Sequence, residues 1–324
     1  MKEIYQGLRK KNYENIKDDL ENLEKFAPPW RKHKDESGKS YEASNEEKLV
    51  INLALQLRRP ILLGGDPGIG KSSLAKSVDY ELESGGVLDW QITTHSVLKD
   101  GLYDYDAIAR LQDVKSSKNG KIKPIGDFVT LNALGTAFAS NKMRVVLIDE
   151  LDKSDIDFPN NLLHVLEERE FPIPELARTG ENEHDVYTAD GEKIRIILKN
   201  GKLQCKVFPL IIFTSNKERE FPAAFMRRVL THDITLPDDK EKLGDKLFQI
   251  VSNHLKDYET QDENKNFNEI EEKVKNIIQK FIHQMRDENK QLATDQLMHA
   301  IFLELQGIDV DDQDILKKIW HKLS

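Results

Sequence analysis

The 324-residue chain has a single cysteine, Cys205, so no intrachain disulfide can form. That usage fits a reducing compartment. The chain also lacks any apolar run approaching the roughly 20 residues of a membrane-spanning helix. Its opening residues, MKEIYQGLRKKNYENI, hold no apolar signal core. These absences predict a soluble, cytoplasmic protein with no membrane contact. Positive charge is in short supply as well: 48 Lys and Arg stand against 57 Asp and Glu, for a formal net charge of -9. A general polyanion binder needs a basic face, so the balance argues against one and leaves open only a local basic groove.

What is present is 38% hydrophobic and 32% charged residues. That is enough for a core, with helices that carry broad solvated faces. The length exceeds one ordinary domain of about 100–200 residues and suits two. Residues 1–25 place Ile, Leu and Tyr at helical spacing and predict an amphipathic helix, which Pro28 and Pro29 end. Its plainest role is to cover apolar surface. With the polar stretch up to residue 45 it makes an N-terminal helix and linker.

Residues 46–237 open with a short helix over 46–57 and then alternate apolar runs with helical stretches. The runs are Ile61–Leu63, Val87–Ile92, Val145–Ile148, Leu210–Phe213 and His232–Leu236. Short apolar strands joined by helices predict a parallel sheet covered on both faces. Residues 115–136 break the alternation and read as an insertion before a helix. Asp190–Gly191 and Asn200–Gly201 predict β-hairpins with type I′ turns within 186–208. From 238 to 324 helical periodicity persists, with a solvated linker near 257–268, and predicts a separate bundle of about four helices.

The strongest motif is Gly65-Asp66-Pro67-Gly68-Ile69-Gly70-Lys71-Ser72, followed by Ser73. It follows an apolar strand and opens a helix, the setting a phosphate-binding P-loop requires. Its glycines let backbone N–H groups curl around phosphate oxygens at a helix N-terminus. Lys71 can place its charge on the β- and γ-phosphates, and Ser72 can offer its hydroxyl to Mg²⁺. Val145-Val146-Leu147-Ile148 then leads into Asp149-Glu150. Two carboxylates at a strand end also describe a solvated acidic turn. Downstream of a P-loop they suit a metal-holding Asp149 and a catalytic base, Glu150. Asp152, past the strand end, reads as a helix cap.

Leu210–Phe213 ends in Thr214-Ser215-Asn216. Asn216 either shapes the turn or positions a water near the γ-phosphate. Arg227 and Arg228 end a short helix before the last strand. They are either a surface pair or a source of charge for a neighbour's γ-phosphate.

With these motifs in this order, the chain resembles an AAA+ ATPase, and more specifically the MoxR-like family. The supporting stretches are PPWR at Pro28–Arg31, LRRPILLGGDPGIGKSSLA at Leu57–Ala75 and DGLYDYDAIARLQD at Asp100–Asp113. IDELDKSDIDFPNNLLHVLEE at Ile148–Glu168 and TSNKEREFPAAFMRR at Thr214–Arg228 complete them. The resemblance implies an α/β fold: an αβα P-loop NTPase core with a parallel sheet, followed by a small all-helical lid domain. It implies ATP and Mg²⁺ as ligands, Asn216 as sensor 1, Arg228 as arginine finger with Arg227 in reserve, and hexameric rings with ATP between subunits. The sensor 2 arginine of the family has no clear match; Lys290 and Arg286 are the nearest residues.

The same resemblance implies a chaperone-like motor that remodels a protein partner, often one with a von Willebrand factor A domain, in a bacterial conflict or defence system. Two other classes stay open. Lys193, Arg195, Lys199, Lys202 and Lys206 lie on the expected hairpins and would suit a nucleic-acid motor or restriction-type NTPase. Such charges are also usual on solvated or protected strand edges. A nucleotide-gated scaffold with little turnover is the third class.

Overall fold

The protein was analysed as a computed structural model that describes residues 27–28, 38–39, 41–116, 122–259, 267–287, 292–308, 310 and 313–320. The expected N-terminal helix over 1–25 lies outside the described residues. Two compact units are present, one built on residues 43–66 and 70–234, the other on residues 67–69 and the described residues up to 42 and from 235 onward.

The first unit opens with α1 (Asn45–Leu57). Ser44 caps it: its hydroxyl accepts from the Glu47 N–H at 3.2 Å while the Glu47 carboxylate accepts from the Ser44 N–H at 2.6 Å. The chain then runs through β1 (Ile61–Gly64), α2 (Lys71–Leu82), β2 (Leu88–Gln91), α3 (Leu98–Leu102), β3 (Tyr103–Tyr105) and α4 (Ala107–Ser116). After a 3₁₀ turn at Ile125–Phe128 come β4 (Val129–Leu131), α5 (Ala133–Ala139) and β5 (Val145–Asp149). A second 3₁₀ turn, Leu151–Lys153, precedes α6 (Phe158–Glu168), β6 (Glu170–Pro172) and α7 (Pro174–Ala177). The unit closes with β7 (Glu183–Tyr187), β8 (Lys193–Lys199), β9 (Lys202–Gln204), β10 (Leu210–Ser215), α8 (Ala223–Met226) and β11 (Leu230–Asp233).

Five strands form the expected parallel sheet, in the order β11-β1-β10-β5-β2. β1, β5 and β10 are buried almost throughout, as a sheet covered on both faces demands. The last strand starts earlier than its apolar run suggested, at Leu230 rather than His232. Its register pairs Ile61 with Leu230 and Gly64 with Asp233, so pairing is already in place when the run begins. Ile234 only closes the ladder with an N–H bond to the Gly64 carbonyl at 2.9 Å.

A second sheet, in the order β3-β4-β7-β8-β9-β6, was visible in sequence only as hairpins. β3, β4, β6 and β9 have three residues each, too few for an alternating pattern to declare itself. The supposed insertion at 115–136 supplies β4. Asn200 and Gly201 both take positive φ, 52° and 75°, and make the tight turn expected between β8 and β9. At Asp190–Gly191 only the glycine does, with φ 78°. The hairpin register ends at Tyr187–Lys193, so the loop is longer, and the Thr188 N–H closes it on the Glu192 carbonyl at 2.9 Å. Arg144 anchors that loop, reaching Asp190 at 2.8 Å and the carbonyls of Gly85 and Gly86 at 3.0 and 2.9 Å.

The two sheets share one core, in which Trp90, Leu134, Phe138, Ile148, Phe171, Val186 and Ile196 are all buried. The second unit is helical, with α9 (Lys240–Glu259), α10 (Phe267–Arg286), α11 (Thr294–Leu305) and α12 (Gln313–Ile319). Leu247, Val251, Ile278, Phe281, Leu297, Ile301 and Trp320 form its own core. Phe281 and Trp320 meet edge to face at 5.4 Å, and the Trp320 indole N–H donates to the Gln296 carbonyl at 3.1 Å. No described helix is long and apolar enough to cross a membrane.

Phe138 is fully buried and its ring lies 6.0 Å from that of Phe171, beside the second sheet. Phe138→Ala should destabilise the first unit by about 3–5 kcal/mol, read from urea unfolding. A loss under about 1 kcal/mol would contradict a core shared by the two sheets.

Candidate nucleotide-binding site

Strands of a parallel sheet all end at one edge, and ligands of such sheets bind there. β1, β10 and β5 are neighbours, so their ends meet. The loop after β1 holds Gly65, Asp66, Pro67, Gly68, Ile69 and Gly70. Gly65 and Gly70 take φ of 144° and 99°, conformations that L side chains rarely adopt, and Gly70 caps α2. Lys71 opens α2, with Ser72 and Ser73 behind it.

Lys71 is 7% exposed. Its ammonium donates to the carbonyls of Gly65 and Asp66 at 2.7 and 2.9 Å and to the side-chain oxygen of Asn216 at 2.8 Å. Burial lowers its pKa, and the carboxylates of Asp149, Asp152, Asp66 and Glu150 oppose that fall. Lys71 and Asn216, 145 positions apart, are thus brought together.

At the end of β5, Asp149 accepts from the Ser72 hydroxyl at 3.1 and 3.3 Å. Thr214 on β10 sits level with it, since Phe213 pairs with Ile148. The Thr214 hydroxyl donates to Asp149 and accepts from the Glu150 N–H, the latter at 2.8 Å. One buried hydroxyl therefore orients both acidic residues. Glu150 takes the left-handed conformation, φ 59°, which turns it away from the strand line. Its carboxylate is held by the Gln91 amide at 2.6 Å and by Lys153 at 2.7 Å. The bond to Glu150 is the main cause of a raised Lys153 pKa.

Ser72 and Asp149 offer adjacent hard oxygens of the kind Mg²⁺ selects. Among the described residues no group of three or more His, Cys, Asp or Glu is arranged so that it could hold a metal ion by itself. A Mg²⁺ that completes its shell with phosphate and water needs no such cage, so these residues fit it.

Two sequence expectations resolve differently. Asp152 caps no helix, because a 3₁₀ turn follows Glu150 and α6 starts only at Phe158. Its carboxylate instead accepts from the backbone N–H groups of Asn216 and Glu218, at 2.9 and 3.2 Å. Of the sensor 2 candidates, Lys290 lies outside the described residues. Arg286 bonds the Pro237 carbonyl at 2.8 Å and faces Asp238 at 3.5 Å, within the helical unit.

Arg227 and Arg228 are not gathered with the rest. They follow α8 and precede β11, whose start pairs with the start of β1. This places them at the opposite edge of the sheet from Lys71, with the four residues of β1, about 13 Å of strand, between the two edges. Arg59 donates to the carbonyls of Arg227, Arg228 and Val229 at 2.6, 3.2 and 3.2 Å, and Arg228 pairs with Glu167 at 2.5 Å. Thr214, Gln91 and Arg59 escaped the sequence reading. Thr214 alone had a signal there, as a polar residue closing an apolar strand.

Residues 60–229 match the AAA domain (dynein-related subfamily). A search of curated proteins finds no match. Among solved structures, NtrX from Brucella abortus in complex with ATP is similar at 13% identity and a TM-score of 0.43, over 85% of this chain and 52% of that one. A putative ATPase from Cytophaga hutchinsonii is similar at 18% identity and a TM-score of 0.37, over 70% and 57%. The closed state of Hsp104 with ATPγS and FITC-casein follows at 14% and 0.42, over 83% and 48%. The chain thus spans about half the length of these structures.

Thr214→Val, nearly isosteric, leaves the half-buried Glu150 N–H without its acceptor and should cost about 1–3 kcal/mol. Thr214→Ser keeps the hydroxyl and should lose only about 0.8 kcal/mol for its methyl. Amide hydrogen exchange at Glu150 should quicken in the valine variant alone. Equal protection in both variants would contradict the Thr214 bridge.

Proposed function

We propose that this chain, which belongs to the AAA domain family in its dynein-related subfamily and hydrolyses ATP, works as one subunit of a hexameric ring that remodels a protein partner. The observation that carries the ring is the separation of Arg228 from Lys71 across the sheet. An arginine at the far edge cannot serve its own subunit's γ-phosphate. It can serve the next subunit's, in a head-to-tail arrangement that closes.

Within one site the roles divide by chemistry. Lys71 gives up the Gly65, Asp66 and Asn216 oxygens for the β- and γ-phosphate oxygens. The Gly65–Ser73 backbone cradles the phosphates, and Ser72 with Asp149 would hold Mg²⁺, which neutralises phosphate charge when bound. Glu150 takes the proton of the attacking water as its oxygen bonds the γ-phosphorus and the bond to ADP breaks. For this Glu150 must leave Gln91 and Lys153. Asn216 holds the water in line, and Arg228, with Arg227 in reserve, stabilises the charge from the neighbouring subunit.

Charge on the hairpins favours a protein partner over nucleic acid. Lys193 pairs with Asp127, Arg195 with Asp185 and Glu183, and Lys202 with Glu170. The Lys206 ammonium is bonded to Asn141 at 3.1 Å. Cations so occupied release few phosphate counterions. α4 buries no residue and turns Ile108, Leu111 and Val114 to solvent, a face that suits apolar contact. A partner with a von Willebrand factor A domain, and a bacterial conflict or defence setting, follow from the MoxR-like resemblance.

The test is complementation between two inactive variants. Glu150→Gln keeps its finger and Arg228→Ala keeps its base. Mixed one to one, they should recover about a quarter of wild-type ATPase, the share of head-to-tail interfaces with both intact halves. No recovery, with both variants folded and assembled, would contradict a shared site.

A further inference from the structure

Asp152 is 5% exposed, yet it is a carboxylate at the heart of the first unit. One oxygen, Oδ2, accepts from the N–H groups of Asn216 and Glu218 at 2.9 and 3.2 Å. The other, Oδ1, is buried and has no hydrogen-bond partner among the described residues. A Ser or Asn side chain would accept the same two N–H groups without the cost of burying a charge. Retaining a half-satisfied carboxylate here calls for a reason beyond closing a turn.

The surroundings supply one. Asp152 lies two residues after Glu150, in the 3₁₀ turn that leaves β5. The N–H it binds belongs to Asn216, whose side chain in turn meets Lys71 at 2.8 Å. A second link runs parallel: Arg219 donates to the Ser154 hydroxyl and the Asp155 carbonyl at 3.0 and 3.1 Å. The loop after β10 and the turn after β5 are thus fastened at both ends. Asp152 is the link nearest the reacting atoms, and its charge acts on Lys71, second only to Asp149 among the carboxylates.

We propose that Asp152 is a positioning residue for ATP hydrolysis, holding the Asn216 backbone so that the Asn216 amide and Glu150 face the γ-phosphate water in fixed relation. It touches no substrate and acts through Asn216. The inference rests on the role proposed for Asn216 above. Charge-assisted hydrogen bonds are roughly twice as strong as neutral ones, so the negative charge stiffens the link when Lys71 moves from Asn216 to phosphate.

The test compares Asp152→Asn, Asp152→Ala, Asn216→Ala and the Asp152→Ala/Asn216→Ala pair by steady-state ATPase, with ATP affinity and thermal unfolding measured alongside. Asn216→Ala and Asp152→Ala should each lower kcat about 100-fold, with KM held within about twofold. Asp152→Asn, isosteric and safe for folding, should lose about tenfold in kcat while its melting temperature stays near wild type. The double variant should be no slower than Asn216→Ala alone, because one residue acts through the other. Multiplied losses, or Asp152 variants with unchanged kcat beside an impaired Asn216→Ala, overturn this inference alone. Loss that tracks the melting temperature, or appears in KM rather than kcat, overturns it too. Full activity in Asn216→Ala overturns the reading of the site itself, and this inference with it.

Discussion

The arrangement turns on one buried cation. Lys71 is almost wholly shielded from water, which raises the cost of its charge. Carbonyls of Gly65 and Asp66 and the oxygen of Asn216 take its three N–H groups, and four carboxylates around it offset the desolvation. Those groups come from the ends of β1, β5 and β10 or the segments that follow them, so only the parallel register of these strands can assemble them. A triphosphate offers the same ammonium stronger, charged acceptors, and Lys71 can exchange one set for the other without entering water.

Around that cation the acidic residues are ordered by their neighbours. Thr214 spends both capacities of its hydroxyl on Asp149 and the Glu150 amide. Glu150 then turns in the left-handed conformation toward Gln91 and Lys153. At the other edge of the same sheet, Arg59 gathers three successive carbonyls and sets the turn that carries Arg228. The two edges are joined by the short, buried strand β1. A parallel sheet with the Lys71 loop at one edge and the paired arginines at the other suits the head-to-tail assembly proposed above.

Much of this was legible from the chain, for identifiable reasons. The P-loop needs glycines at fixed offsets, and buried parallel strands are unbroken apolar runs, so β1, β5 and β10 stood out. The second sheet did not, because three-residue strands carry no period. The loop at Asp190–Gly191 differed because the β7–β8 register ends at Tyr187 and Lys193 and does not set Ala189 opposite Glu192, as a two-residue turn there requires. Asp152 was misread as a cap because its partners, Asn216 and Glu218, lie more than 60 positions away. Gln91 and Arg59 were invisible for the same reason: their roles depend on pairings of strands, not on neighbours in sequence.

The central claim is that one subunit supplies Lys71 and Glu150 and the next supplies Arg228. The most direct measurement is ATP turnover per subunit of the wild-type protein across a wide concentration series, with particle size determined at each point. Turnover that is low at dilution and rises to a plateau as the subunits assemble is the expected result. A rate per subunit that stays constant while the protein is monomeric would show that each chain completes its own site, and the shared site would be wrong.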